Sequence, residues 1–375
     1  MTGIEVVKSY GQEAQQQEAL DDKAELIYDS AMDMARERAI HRPLFEIIPA
    51  LGTVSVLVVG GVRVVDGAIT IGEFVAFTQY LAVMVLPLMI TGWFFANLPR
   101  SAAAATRIDS LFTTDPEIED PHDPVHLQAG PGEIKLQNVS FSYPDGTAVL
   151  IDVSLTIPGG TSVGLVGATG AGKTTIAHLI DRFYDVTDGA VRIDGVDVRT
   201  LSLDQLRNEV SVVFQETFLF SASIEDNIRV GDPTASDKRV HAAARLARAH
   251  DFICELPDAY RTVVGERGAT LSGGQRQRVS LARGVVRDPR ILILDDATSS
   301  VDAVVEAEIQ EALRQVMAGR TTVIVAHRTS TLALVDNVAF IEDGRLVAFG
   351  PHDELLRDVP RYAEVLAATD DAVSA

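Results

Sequence analysis

Apolar and polar positions change rhythm several times along this chain, and each change marks an element. Residues 1–42 are polar and helix-prone, rich in Glu, Gln, Ala, Lys and Arg. An apolar run follows at 47–62, bounded by Glu46 and Arg63, and Leu44, Phe45, Val64 and Val65 extend it if the charged ends snorkel. A second run, 74–96, carries no formal charge. At roughly 1.5 Å per helical residue it is long enough to cross a bilayer core of about 30 Å. Pro87 and Gly92 are tolerable kinks in such a helix. The two runs lie a short turn apart (Asp66-Gly-Ala), which predicts a membrane hairpin with spans at about 44–65 and 74–96.

Apolar periodicity stops at 113–132, where Asp, Glu, Pro and Gly predict a linker. From Glu133 the pattern Ile134-Lys-Leu-Gln-Asn-Val alternates with period two, the mark of a half-buried strand. Short all-apolar runs at 162–166, 291–295 and 323–327 predict buried parallel strands, and 210–214 predicts a further strand. Residues 175–181 and 276–286 predict helices, and there are no internal repeats.

Composition narrows the classes. The chain has 375 residues and a formal net charge of −21, enough for two domains. That acidity argues against nucleic acid as a main partner, since duplex binding leans on clustered Lys and Arg. A single cysteine, Cys254, excludes an internal disulfide framework, fits a reducing compartment, and is expected to be a small buried side chain. The first residues are mixed and polar, unlike a cleavable signal peptide. Arg36, Arg38 and Arg42 precede the first span, Arg100 and Arg107 follow the second, and Arg63 alone lies between them. The positive-inside rule then puts both ends in the cytoplasm of a multi-pass protein of the cell membrane.

The chemistry begins at Gly167-Ala168-Thr169-Gly170-Ala171-Gly172-Lys173-Thr174, a match to G-x-x-x-x-G-K-[ST] between a predicted strand and helix. Such a turn aims backbone N–H groups at a polyphosphate, with Lys173 on the β/γ-phosphates and the Thr174 hydroxyl on Mg²⁺. Thr175 follows on the same helix start. Asp295 ends a buried strand, where a carboxylate can hold Mg²⁺ through water. Tyr143 stands in Phe141-Ser-Tyr-Pro-Asp-Gly, either stacking on a base or packing on its own sheet.

With Leu271-Ser272-Gly273-Gly274-Gln275, Ser299-Ser-Val-Asp302, Gln215 and His327 added in this order, the chain resembles the ATP-binding cassette (ABC) family over about residues 133–366. These four look like its signature motif, D-loop, Q-loop and switch histidine. Residues 2–13 are similar to the cytoplasmic loop of ABC exporters that carries a coupling helix. Gly72-Glu-Phe-Val-Ala-Phe and Ser101-Ala-Ala-Ala-Ala-Thr-Arg-Ile are similar to their sixth membrane helix and its continuation.

The fold this implies is a helical membrane segment of two transmembrane helices (1–112), a linker (113–132) and an α/β P-loop NTPase domain of ABC type (133–370). That domain should carry an antiparallel β subdomain and a helical signature subdomain. A standard exporter half has six membrane helices, so the chain is expected to be the C-terminal portion of one. The resemblance implies ATP and Mg²⁺ as cofactors and Tyr143 on adenine. It implies Thr174, Gln215 and Asp295 around the metal, and His327 on the γ-phosphate. Ser272, Gly273, Gly274 and Gln275 would act in trans on the ATP of a second half-transporter subunit. Asp296 departs from pattern, because fully active members have glutamate there to polarise water. This resembles the slow site of heterodimeric exporters, so a heterodimer is favoured over a slow homodimer. A regulatory nucleotide-binding subunit with little turnover is the alternative. The transported substrate is not legible.

Overall fold

A computed structural model of the chain describes residues 4–215, 217–265, 268, 270–295, 303–326 and 329–374. It divides into two units between Asp115 and Pro116.

The first unit is helical: α1 (Ile4–Ser9), α2 (Glu13–Val65) and α3 (Ile71–Phe112). The polar stretch and the first apolar run form one continuous helix, α2, with Pro43 and Pro49 inside it. Its partner α3 starts at Ile71, slightly before the apolar run, because Thr70 and Glu73 make a reciprocal capping box. The Thr70 hydroxyl accepts from the Glu73 N–H at 3.2 Å, and the Glu73 carboxylate accepts from the Thr70 N–H at 2.8 Å. Ile47–Val65 and α3 are both long and apolar enough to cross a membrane. Val58, Phe77, Met84, Leu88 and Phe94 are exposed on these helices, the reverse of a water-soluble bundle. The hydroxyls of Thr78 and Thr91 donate back to carbonyls of Phe74 and Pro87, so neither needs water.

The second unit holds two sheets. Strands β1 (Ile134–Ser142), β2 (Ala148–Ile157), β4 (Asp188–Ile193) and β5 (Val196–Asp197) form an antiparallel sheet in the order β2-β1-β4-β5. Strands β3 (Ser162–Val166), β6 (Val210–Val213), β7 (Ile291–Asp295), β8 (Thr321–Val325), β9 (Asn337–Glu342) and β10 (Arg345–Gly350) form the second sheet, in the order β10-β9-β3-β8-β7-β6. All neighbours in it pair in parallel except β10 with β9. Strands β3, β7 and β8 are buried at every position, which is why apolar residues dominate them, although β8 opens on Thr321 and Thr322, two residues before its expected apolar run. The helices are α4 (Lys173–Ile180), α5 (Leu203–Glu209), α6 (Ile224–Arg229), α7 (Asp237–Leu246), α8 (His250–Glu255), α9 (Gly273–Val285), α10 (Ala303–Met317), α11 (Thr329–Leu332), α12 (His352–Asp358) and α13 (Pro360–Ser374). Helices α6 to α9 form a helical subdomain, and one core joins it to the sheet through Ile228, Val240, Val279 and Leu294. A second core lies between the two sheets and contains Leu136, Leu150, Ile176 and Ile193.

Two expectations change. The stretch 113–132 has no helix or strand, yet its later part is fastened to the second unit by the buried Leu127. Cys254 is exposed, not buried. On α8 the buried side chain is Ile253, and one residue further turns the thiol to the surface, 3.8 Å from the His250 ring.

Candidate nucleotide site

The loop 167–172 leaves the carboxyl end of β3, between β8 and β9, where chain order switches direction across the sheet. Two of its glycines are required by space. A Cβ at Gly167 would lie 2.1 Å from the Ile341 carbonyl oxygen, so no larger residue fits without parting β9 from the loop. Gly172 has φ +102°, and a Cβ there would also meet the Leu150 side chain at 2.5 Å. It opens α4 with no side-chain cap, whereas α5, α6 and α9 each carry a serine cap. An uncapped first turn leaves backbone N–H groups for an acceptor from outside, which suits an anionic phosphate.

Lys173 is 5% exposed, and its ammonium turns back into the loop. It donates to the carbonyls of Gly167 at 2.8 Å and Ala168 at 2.9 Å. The loop itself is closed by the Ala171 N–H donating to the Ala168 carbonyl. Gly170 has open space on its Cβ side. Together these place a cationic group inside a tight turn of backbone, opposite in sign to a phosphate. Thr169 is exposed at its rim.

The residues that could hold a metal come from different strands of the sheet. The Thr174 hydroxyl donates to the Asp295 carboxylate at 3.2 Å, joining residues far apart in the chain. Asp295 is 7% exposed at the end of β7. Gln215 is exposed just past β6, and the register Val213↔Leu294 brings that strand end beside Asp295. A hydroxyl, a carboxylate and an amide oxygen are hard oxygen donors, the set Mg²⁺ takes with water and phosphate filling the rest. Asp296, His327 and the stretch 299–302 lie outside the described residues.

Tyr143 follows β1. Its hydroxyl lies 3.2 Å from the Thr175 hydroxyl, on the first turn of α4. Its ring meets Phe141 and Tyr184 edge-on, at 5.0 and 5.4 Å between centroids. The ring is therefore held beside the loop by aromatic neighbours and by the helix that follows the lysine.

Ser272 and Gln275 do more locally than their motif suggests. Ser272 caps α9, accepting from the Gln275 N–H at 3.3 Å, and the Gln275 side chain accepts from the Ser272 N–H at 2.9 Å. This capping box starts the helix at Gly273, earlier than its apolar pattern does. Gly274 is buried, and its carbonyl accepts from the Arg278 guanidinium at 3.3 Å. These residues stand on the helical subdomain, not on the loop that Lys173 serves.

Motif reading missed two titratable groups on the far end of α4. His178 is held among Phe183, Tyr184 and Phe214, and burial keeps its imidazole below its ordinary value against the pull of Asp295. Asp181 is 6% exposed, one of its oxygens has no partner, and burial pushes its carboxyl up to about 7, opposed by the Arg207 guanidinium. A carboxyl whose folded value exceeds its unfolded 3.8 keeps a proton that the unfolded chain has released. Stability from this group therefore falls as pH rises from about 4 to about 7 and stays low above that. Asp181→Asn is expected to melt higher than wild type at pH 8, by roughly 4 °C, with the gap closing on acidification. Parallel melting curves at pH 5 and pH 8 would remove this account.

The comparisons with known proteins agree with this geometry. Residues 150–299 match the ABC transporter family model, and residues 1–88 match that of the ABC transporter transmembrane region. A multidrug efflux ATP-binding/permease protein of Mycobacterium tuberculosis is 42% identical over 98% of this chain and 31% of its own length. An ATP-dependent lipid A-core flippase of Syntrophus aciditrophicus is 39% identical over 95% of this chain and 59% of its own. The structure of a bacterial Atm1-family ABC exporter with ATP bound matches with a TM-score of 0.82 and 34% identity, over 97% of this chain and 64% of that one. The chain thus spans less than two thirds of the length of these relatives. With an ATP-binding cassette behind two helices of the family's transmembrane region, the chain belongs to the ABC transporter family, exporter type, embedded in the membrane with its cassette on the cytoplasmic side.

Proposed function

We propose that this chain binds and hydrolyses MgATP as one subunit of an ABC exporter, coupling the reaction to movement of a substrate across the cytoplasmic membrane. The observation that carries the reading is the buried Lys173 ammonium inside its loop, with Thr174 and Asp295 paired at 3.2 Å beside it. Phosphoryl transfer needs little covalent help from protein and much positioning of charge. In this reading Lys173 leaves its two carbonyls for the β/γ-phosphates, and the backbone of 167–172 wraps them. Thr174, Gln215 and Asp295 hold Mg²⁺, which when bound neutralises charge on the β and γ oxygens. The Tyr143 ring stacks on adenine, and His327 contacts the γ-phosphate and orients water. The residues Ser272 to Gln275 of a second cassette close over the nucleotide, so dimerisation completes the site.

Asp296 favours a particular version of this function. One methylene shorter than glutamate, it sets its carboxylate back from the water, as in a slow site whose own signature residues serve a faster partner. A heterodimeric exporter is the version we favour. The same residue favours a second reading, a regulatory subunit that holds nucleotide with little turnover. The names of the relatives, multidrug efflux and lipid A-core flipping, suggest a drug-like or lipid cargo for this chain.

The test is nucleotide retention by the purified chain in lipid nanodiscs. Labelled MgATP is expected to stay bound stoichiometrically and to remain ATP over minutes. A chain that retains no MgATP sinks the function. One that alone turns over about 10 ATP per second, the ordinary enzyme range, sinks the slow-site version.

A further inference from the structure

The stretch that follows the second membrane helix is tied along the whole length of α5. The N–H of Leu203, in the first turn of that helix, donates to the Asp120 carboxylate at 2.6 Å. The Val125 N–H donates to the Thr200 carbonyl at 2.8 Å. In the middle, one side chain clamps both backbone groups of one residue. The Leu127 N–H donates to Gln205 Oε1 at 3.2 Å, and Gln205 Nε2 donates to the Leu127 carbonyl at 3.1 Å. The same amide nitrogen lies 3.2 Å from His126 Nδ1, and the Leu127 side chain is 4% exposed in the inter-sheet core. At the far end Arg290 donates to the Gly130 carbonyl at 2.8 Å and also to Glu209, the last residue of α5.

What α5 leads into gives these ties a purpose. Its C-cap is Val210, the first residue of β6, and Gln215 follows two residues after that strand ends at Val213. Strand β6 is the sheet edge, bonded on one side only, to β7 with Asp295 at its end. An edge strand four residues long has a ladder partner on one side only. Its position therefore depends also on what packs on it: α9 through the buried Val213, and α5, which leads directly into it. Arg290 stands directly before β7, so one guanidinium joins the stretch, α5 and the strand that carries Asp295.

We infer that residues 120–130 act as a strap through which the chain leaving the second membrane helix sets α5, β6 and hence Gln215, with Gln205 as a positioning residue for the nucleotide site. Given MgATP at the loop, as proposed above, a pull on the strap moves the Gln215 oxygen relative to Asp295 without any contact between Gln205 and nucleotide. The route is continuous backbone and hydrogen bonds, a physical linkage between the membrane helix and the metal side of the site.

Hydrogen–deuterium exchange on the whole chain in nanodiscs, without nucleotide, tests the strap directly. Gln205→Leu keeps the helix and removes both clamping bonds. Amides of 125–130 should exchange about tenfold faster, and those of 210–215 should rise with them, since each lost hydrogen bond is worth roughly a factor of ten. A rise confined to 125–130, or none anywhere, overturns the inference. Asp120→Ala, which frees the other end, should loosen 210–215 in the same way, and failure to do so counts against it equally. The second readout is the Mg²⁺ concentration for half-maximal ATP retention. It should increase about fivefold in Gln205→Leu, at the low end of coupling between sites, while retention in excess EDTA stays as in wild type. An unchanged Mg²⁺ dependence overturns the role of Gln205 as well. A wild-type chain that binds no nucleotide would count against the cassette reading alone, since the exchange comparison still decides the strap.

Discussion

Lys173→Ala is expected to weaken MgATP retention by about 1,000-fold. Two charge-assisted hydrogen bonds to phosphate, at roughly 2 kcal/mol each, account for that factor. The side chain is buried and held inside the loop by its bonds to the carbonyls of Gly167 and Ala168. Its charge is therefore already within the loop, and it has only to exchange these two carbonyls for phosphate oxygens. The loss should not come from unfolding. Alanine is the best helix former at the start of α4, and the loop keeps its own closure through the Ala171 N–H. Lys173→Met, which keeps the bulk of the chain and discards the charge, should match the alanine variant. Equilibrium binding of labelled ATP with Mg²⁺ is the measurement, run beside thermal melting of each variant. Retention within tenfold of wild type would end the claim that this ammonium grips the triphosphate.

The second large effect is a gain. Asp296→Glu should raise turnover at saturating MgATP by about 100-fold, because a misplacement of about 1 Å in a reacting group costs on that order. The substitution adds one methylene next to Asp295, the carboxylate that ends β7 and pairs with Thr174. It lengthens one side chain and leaves Lys173, Thr174 and Asp295 unaltered in sequence. Hydrolysis should therefore rise while ATP affinity, measured in the absence of turnover, stays the same. A variant as slow as wild type would show that residue 296 does not set the rate, and the heterodimer version would lose its support.

Local signals carried much of this protein. Strand, turn and helix follow one another without interruption over residues 162–180, so the phosphate loop and its lysine are visible to anyone reading that window. The same holds for Ile291 to Leu294 of β7 and Val323 to Val325 of β8, where full burial on both sheet faces shows as consecutive apolar letters, while the buried Thr321 and Thr322 give no such signal. The membrane spans show because a bilayer demands length and apolarity from consecutive residues. Helix α9 starts earlier than its apolar pattern, although the capping box of Ser272 and Gln275 is readable at the spacing of one helical turn.

Other features depend on sheet order and have no local trace. That Thr174 meets Asp295 follows from β8 lying between β3 and β7, an arrangement that chain order does not reveal. Tyr143 reaches Thr175 because the antiparallel sheet packs over α4. The stretch around Leu127 reads as linker, since isolated apolar residues among Asp, Pro and Gly have no period, and only its tertiary partners, Gln205 among them, reveal it as fastened. Cys254 is exposed against expectation because burial of a lone residue on a short helix turns on about 100° of rotation, which neighbouring letters leave open.

By itself the sequence determined the chemistry available: a glycine-rich loop with its lysine, a carboxylate at the end of a buried strand, two apolar spans, and an aspartate at residue 296. Only the tertiary structure decided which of these meet and what holds them in register. Backbone geometry and hydropathy act over a few neighbouring residues, while partners such as Thr174 with Asp295 and Gln205 with Leu127 are chosen by the packing of whole strands and helices.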